Sequence, residues 1–140
     1  MLQRRGNAAA SNYKEGLLVT GGAADGKVLT STEIFHNGQW TWGHQLPIKL
    51  TRHCQVQYGG TVFIAGIPRI HNLKYSSLFF IGGSSGGLFD GVYSLEDNGW
   101  IRKTSLNSAR ANHACTVHGS NMYLVGGFVG RASKLILSCI

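Results

Sequence analysis

Laid against itself with an offset of 60 residues, the chain meets itself in order. Trp40 faces Trp100, His53 faces His113, Gly59 faces Gly119, and TVFIAG (61–66) faces NMYLVG (121–126). A third copy of the strand, GLLVTGG (16–22), ends only 66 − 22 = 44 residues before Gly66. The two intervals fit one repeat if residues 67–82 are an insertion, because 60 − 16 = 44. Self-similarity at such a period means stacked structural units, each too small to bury its apolar face alone.

Each unit has the same order: an apolar strand closing on a glycine pair, a loop, a strand with an aromatic, then Trp, a turn, a basic residue with His, and the next apolar strand. VFIA and MYLV are continuous apolar runs, as expected for strands covered on both faces. The glycines that follow admit positive φ and close backbone approach. In EIFHNGQW and VYSLEDNGW, Asn-Gly separates two strand-like segments and predicts a tight hairpin. Trp40 and Trp100 are expected to fill gaps between units, with one indole N–H each to satisfy.

Composition agrees. Charged residues are 14% and hydrophobic ones 43%, with twenty glycines against two prolines, which suits a turn-rich β protein. The net charge of +7 is spread out: residues 1–15 contribute 3 − 1 = +2, residues 67–82 another +2, and the remaining +3 is scattered. Nucleic-acid binding needs a basic face that displaces counterions from phosphates, so no nucleic-acid partner is expected. No apolar run reaches membrane-spanning length, and no membrane partner is expected either. Residues 1–15 have no apolar h-region and read as a flexible tail ahead of a repeat region at 16–140.

The pattern resembles the kelch repeat of β-propeller proteins. The marks are an apolar run before Gly21-Gly22, before Gly66 with Gly83 across the insertion, and before Gly126-Gly127. A spaced aromatic pair follows, Tyr93 with Trp100, and Phe35 with Trp40 in the first unit. The resemblance implies an all-β fold, a partial kelch-type β-propeller of four-stranded antiparallel blades. A closed propeller takes four to eight blades. A chain of this length holds fewer than three, so it is expected to be too short to close alone and to be part of a longer protein.

Residues 67–82, IPRIHNLKYSSLFFIG, split a glycine pair. They read either as a translated intron, for which Gly66-Ile67 and the LFFIG stretch admit codons resembling splice junctions, or as a surface insertion lengthening one loop.

Little in the sequence is catalytic. His53 and His113 hold equivalent places and lack a further His and carboxylate at ligand spacing, so they read as structural. GGSSGG (82–87) lacks the Lys-Ser/Thr that completes a phosphate cradle. Cys54, Cys115 and Cys139 form no C-x-x-C pair, and buried thiols or a Cys54–Cys115 disulfide both remain open. The resemblance includes one enzyme class, galactose-oxidase-like copper enzymes, whose ligand set maps onto no motif here. The chain is therefore expected to be non-enzymatic, with no metal and no cofactor.

The family's usual role implies a protein-interaction module, as in a scaffold or a cullin-ligase substrate adaptor. By place in the motif, the candidate partner-binding residues are Ser84 and Ser85 after a glycine pair, and Arg52 and Asn112 just before the two histidines. Arginine at that place can bond an acidic peptide in bidentate fashion.

Overall fold

In the computed structural model, residues 1–67, 90–106, 108–128 and 138–139 are described. In chain order the strands are β1 (Ala9–Tyr13), β2 (Gly16–Thr20), β3 (Ala23–Ala24), β4 (Lys27–Val28), β5 (Thr32–His36), β6 (Gln39–Trp42), β7 (Thr51–Tyr58), β8 (Thr61–Ile67), β9 (Gly91–Glu96), β10 (Gly99–Ser105), β11 (Ala111–His118), β12 (Asn121–Phe128) and β13 (Ser138–Cys139). They form a four-stranded blade β1-β2-β5-β6, a second β10-β9-β8-β7, and a third sheet β11-β12-β13, with β3-β4 as a small hairpin in a connection. Every pairing is antiparallel. These are the blades that the repeat implied.

Residues 1–15 differ from the expected tail. Ala9–Tyr13 is the innermost strand of the first blade, paired to β2 from Ala9↔Thr20 to Tyr13↔Gly16. Its sequence, AASNY, lacks the His and Cys that β7 and β11 carry, so the repeat signal does not reach it.

The inner hairpins turn at Tyr13↔Gly16, Tyr58↔Thr61 and His118↔Asn121. Equivalent inner residues therefore lie 58 − 13 = 45 and 118 − 58 = 60 apart, while Trp40 and Trp100 of the outer hairpins lie 60 apart. From Thr20↔Thr32 and Ala65↔Val92, the β8–β9 connection is (92 − 65) − (32 − 20) = 15 residues longer than its counterpart. This aligns Gly66 with Gly21. Beyond Ile67, the proposed insertion lies outside the described residues, as does Gly83.

The register also moves one aromatic. Phe35 pairs with Trp40, their rings 5.0 Å apart, but Trp100 pairs with Leu95. Tyr93, assigned from sequence to the place of Phe35, is instead the counterpart of Glu33: Val19↔Glu33 corresponds to Ile64↔Tyr93. Because side chains alternate across a sheet, a two-residue offset keeps the same face and hides in a pattern search. Asn37-Gly38 make the turn of the first outer hairpin, both at positive φ. In the second, Asp97-Asn98 turn and Gly99 opens β10.

The core lies between blades. Leu18 packs with Val62 and Leu95, flanked by Tyr13, Ile34 and Trp100. Leu46, Leu50, Ile64 and Tyr93 extend the same seam. Cys54, Val92, Leu106 and Leu124, with Phe63 and Cys115, fill the next one. Each buried aliphatic side chain contributes roughly 1.5–3 kcal/mol. Trp100 fills the first seam as expected, its indole N–H donating to the His44 carbonyl at 3.0 Å. Trp40 lies on the opposite face of the first blade, beside Phe35.

The seams need glycine. Gly21 has φ +56°, and a Cβ there would stand 2.4 Å from the Leu50 carbonyl oxygen. Next to it, Gly22 N–H donates to that same oxygen at 2.8 Å, tying the first blade to the start of the second.

Candidate functional site

Three residues at one place in the repeat share an uncommon backbone. Asn7, Arg52 and Asn112 have φ of 52°, 56° and 52°. Their numbers differ by 45 and 60, the interval of the inner hairpins. They head the three inner strands at the end where the post-glycine connections also leave. For a non-glycine residue the left-handed region is disfavoured, least so for Asn. At Arg52 the β7–β8 register slips between Thr51 and Cys54, a bulge that re-aims the side chain. The Asn7 carbonyl accepts Arg52 N–H at 3.0 Å and Thr51 Oγ1–H at 3.4 Å, so one blade's αL residue props the next. Asn7 and Asn112 are exposed and Arg52 is half-buried. Of the four residues singled out from sequence, the structure puts Arg52 and Asn112 in matching places and adds Asn7; Ser84 and Ser85 lie outside the described residues.

Under this rim lies a polar layer. Thr20 Oγ1 donates to Gln55 Oε1 at 2.6 Å and stands 2.7 Å from His53 Nε2. Since the threonine's single proton goes to Gln55, its lone pair accepts from His53 Nε2–H, which fixes the neutral imidazole tautomer. Gln55 Nε2 donates to Ser11 Oγ at 2.8 Å and the Leu18 carbonyl at 3.0 Å. Burial first, and repulsion from His113 second, push the His53 pKa down to about 3. Its Nδ1 has no hydrogen-bond partner among the described residues. A histidine buried and held neutral in this way ties the second blade to Thr20 of the first.

Two buried arginines escaped the sequence reading. Arg5 donates to the Gly21 carbonyl at 2.7 Å, and Arg110 to the Gly126 carbonyl at 2.8 Å, each sixteen residues ahead of its glycine. Arg110 is 1% exposed. Arg5 also reaches Ser31 O at 2.9 Å and Glu33 Oε1 at 2.6 Å. Burial alone would raise the Glu33 pKa, but donors from Leu2 N–H, Arg5 and Gln3 N–H outweigh it and hold the carboxyl below its ordinary value. In the second blade the counterparts of Arg5 and Glu33 are Leu50 and Tyr93, which share one apolar cluster. The signal was present: an Arg at a fixed distance before each of two glycines.

Cys54 and Cys115 are disulfide-bonded, with Cα atoms 5.8 Å apart. The bond joins the inner strands of the second and third blades, which resolves the alternatives left open by the sequence. A depression of about 370 Å³ opens where β1, β7 and β11 run side by side, lined by Ser11, Gln55, Gln57 and Thr116 among others. A larger cleft of about 780 Å³ lies beside the first blade, between Tyr13, Lys14, His36 and Trp42, and none of the expected site residues line it. Among the described residues no group of three or more His, Cys, Asp or Glu is placed to hold a metal ion.

Sheet order, the repeat and the rim together define a run of kelch-type β-propeller blades. Kelch-like protein 38 of Mus musculus is 28% identical over 131 residues, covering 91% of this chain and 21% of that protein. The solved structure of YjhT, a kelch-type β-propeller, superposes with a TM-score of 0.67 at 17% identity, over 90% of this chain and 35% of that one. No family model matches the chain. The chain thus spans about a fifth of the curated relative's length and about a third of the solved propeller's.

Proposed function

We propose that these blades form a non-catalytic protein-binding module whose partner docks on the rim headed by Asn7, Arg52 and Asn112. The observation that carries the reading is the recurrence of the αL residue at the head of all three inner strands. Backbone strain held at one place in successive repeats is an outlier that points to use of the side chain it aims. The likeness to a kelch-like protein supports a protein as the partner. In a longer chain the module serves a scaffold or a cullin-ligase substrate adaptor. Arg52 supplies the bidentate cation for an acidic segment, Asn112 adds amide hydrogen bonds, and Ser84 and Ser85 contribute from the neighbouring loop. Residues 67–82 lengthen that loop, or are absent from the mature chain.

The test is an array of Asp/Glu-containing peptides and their Asn/Gln isosteres, probed with the wild-type chain, Arg52→Ala and Asn112→Ala. Binding that depends on the carboxylates and falls at least tenfold on Arg52→Ala is expected. Equal binding to the isosteres, or an Arg52→Ala chain that binds as wild type, overturns the acidic-peptide reading.

A further inference from the structure

Two seams join the three sheets, and different bonds cross them. At the first, Thr20 bonds His53 and Gln55 of the next blade, and Gln55 reaches back to Ser11 and the Leu18 carbonyl. The inner-strand interval of 60 carries His53 to His113 and Gln55 to Cys115. The register sets Ala65 in the place of Thr20, since Thr20↔Thr32 corresponds to Ala65↔Val92. The second seam therefore has an alanine and a cysteine where the first has a hydroxyl and an amide. Cys115 is bonded instead to Cys54, whose own counterparts are Ala9 and Ala114. A covalent bond stands in for a set of hydrogen bonds, and it is open to chemistry that they are not.

The two sulfurs of that bond have different surroundings. Cys54 is 9% exposed and packs with Val92, Leu106 and Leu124. Cys115 is half-buried and lines the depression of about 370 Å³ where β1, β7 and β11 run side by side. Asn12, Gln57 and Thr116 also line it, all exposed, and their amides and hydroxyl both donate and accept hydrogen bonds. The volume is at the small end of ligand sites, about 300–1,000 Å³, which suits a molecule the size of a short peptide. The inner strands of a propeller line its central channel, so a solute in the channel meets this depression however many blades complete the ring.

We propose that Cys115 is a thiolation site, at which a small peptide thiol opens the bond to Cys54. The thiol's amides pair with Asn12, Gln57 and Thr116, and its sulfur attacks Cys115 Sγ from the depression. The Sγ–Sγ bond breaks, its electron pair leaves with Cys54, and the proton given up by the attacking thiol ends on Cys54. One disulfide is consumed and one is made, so the step needs no oxidant: the products are a mixed disulfide at Cys115 and a thiol at Cys54. Exchange depends on access to the sulfur attacked, which selects Cys115. Only a thiolate attacks a disulfide, and the apolar cluster around Cys54 disfavours a charge, so the released thiol is slow to close the bond again. The exchange unties β7 from β11 and leaves the second seam to its apolar packing.

The test incubates the full chain, carrying Cys139→Ser, with reduced glutathione in the absence of oxygen, stops the reaction by alkylation and maps the cysteines by mass spectrometry. Early time points are expected to show glutathione on Cys115 at least about fivefold more than on Cys54, with Cys54 recovered as the alkylated thiol. The Asn12→Ala/Gln57→Ala chain is expected to exchange with glutathione at least about threefold more slowly, and with mercaptoethanol, which has no amide, at the unchanged rate. No slowing, or equal slowing with both thiols, overturns the proposal. So does glutathione found first on Cys54, or a rate that simply follows the unfolded fraction as urea is raised. A purified chain in which Cys54 and Cys115 both alkylate before any thiol is added overturns it as well.

Discussion

The Arg5 guanidinium meets the Glu33 carboxylate at 2.6 Å, with side-chain exposures of 1% and 0%. One blade further on, Leu50 and Tyr93 take the same two places without charge. The exchange follows from the energetics of buried ion pairs. Removing both charges from water costs nearly as much as their attraction returns, so an apolar pair of similar bulk is an equal solution.

A half-exchange is the costly state. Arg5→Leu or Glu33→Tyr alone leaves a charge buried against an apolar neighbour and is expected to cost about 3–5 kcal/mol. The double change copies the second blade and is expected to recover most of the loss. Urea midpoints of the four proteins measure the coupling; additive losses would show that the two side chains do not act as a pair.

Acid should lower the stability of the fold through two groups, His53 and Glu33. The unfolded chain protonates its histidine near 6.5, while folded His53 does so only at about 3. Stability from its neutral form is complete above 6.5 and falls as pH drops towards 3, by up to about 1.4 kcal/mol per pH unit. Glu33 has a depressed pKa. Its contribution is complete above the ordinary carboxylate value, and is lost as pH falls through the folded one. Urea midpoints between pH 7 and 4 should therefore decline steadily, and His53→Gln should flatten the decline. An unchanged slope in His53→Gln would place the titration elsewhere.

The disulfide closes a loop of 61 residues. Chain-entropy arguments give roughly 4 kcal/mol for a loop of that size, with native-state effects commonly reducing it. Treatment with a phosphine reductant is expected to lower stability by about 2–4 kcal/mol. Cys54→Ser should reproduce the loss and make the remaining protein indifferent to reductant. Mass spectrometry after alkylation should find one modified cysteine before reduction and three after it.

Gly21→Ala should be among the most damaging small changes. The added methyl meets the Leu50 carbonyl at 2.4 Å in a backbone with φ +56°, so the seam must open. A loss of about 2 kcal/mol or more is expected. Gly38→Ala is the control: it also has positive φ, yet a Cβ there meets nothing within 4 Å. Equal losses would mean that backbone strain, not the seam, sets the cost.

The repeat made the blades legible because tight turns and buried strands leave periodic marks: Gly59 and Gly119, Val62 and Met122, Trp40 and Trp100. What stayed hidden did so for physical reasons. Ala8 and the first residues of β1 are small where their counterparts are His and Cys, so neither hydropathy nor motif flagged the strand. Arg5 and Arg110 look like surface residues until their carbonyl partners are seen, since only tertiary contact distinguishes a buried arginine from a solvated one. Tyr93 shares a face with Leu95, and alternation cannot separate two residues on one side of a strand. At the rim, Arg52 and Asn112 stand out by their place in the motif, but their left-handed backbone, and Asn7 as the third member, show only in the folded chain.

Arg5 and Glu33 belong to one blade, as do Leu50 and Tyr93, so a duplicated blade carries its own charge balance wherever it lands. Thr20, His53 and Gln55 do not. One is inherited with the first blade and two with the second, and a blade spliced beside an unrelated neighbour would bury half of that arrangement against nothing. Blades of this protein are therefore interchangeable in their interiors but not in their order, and a recombinant array must copy junctions rather than repeats.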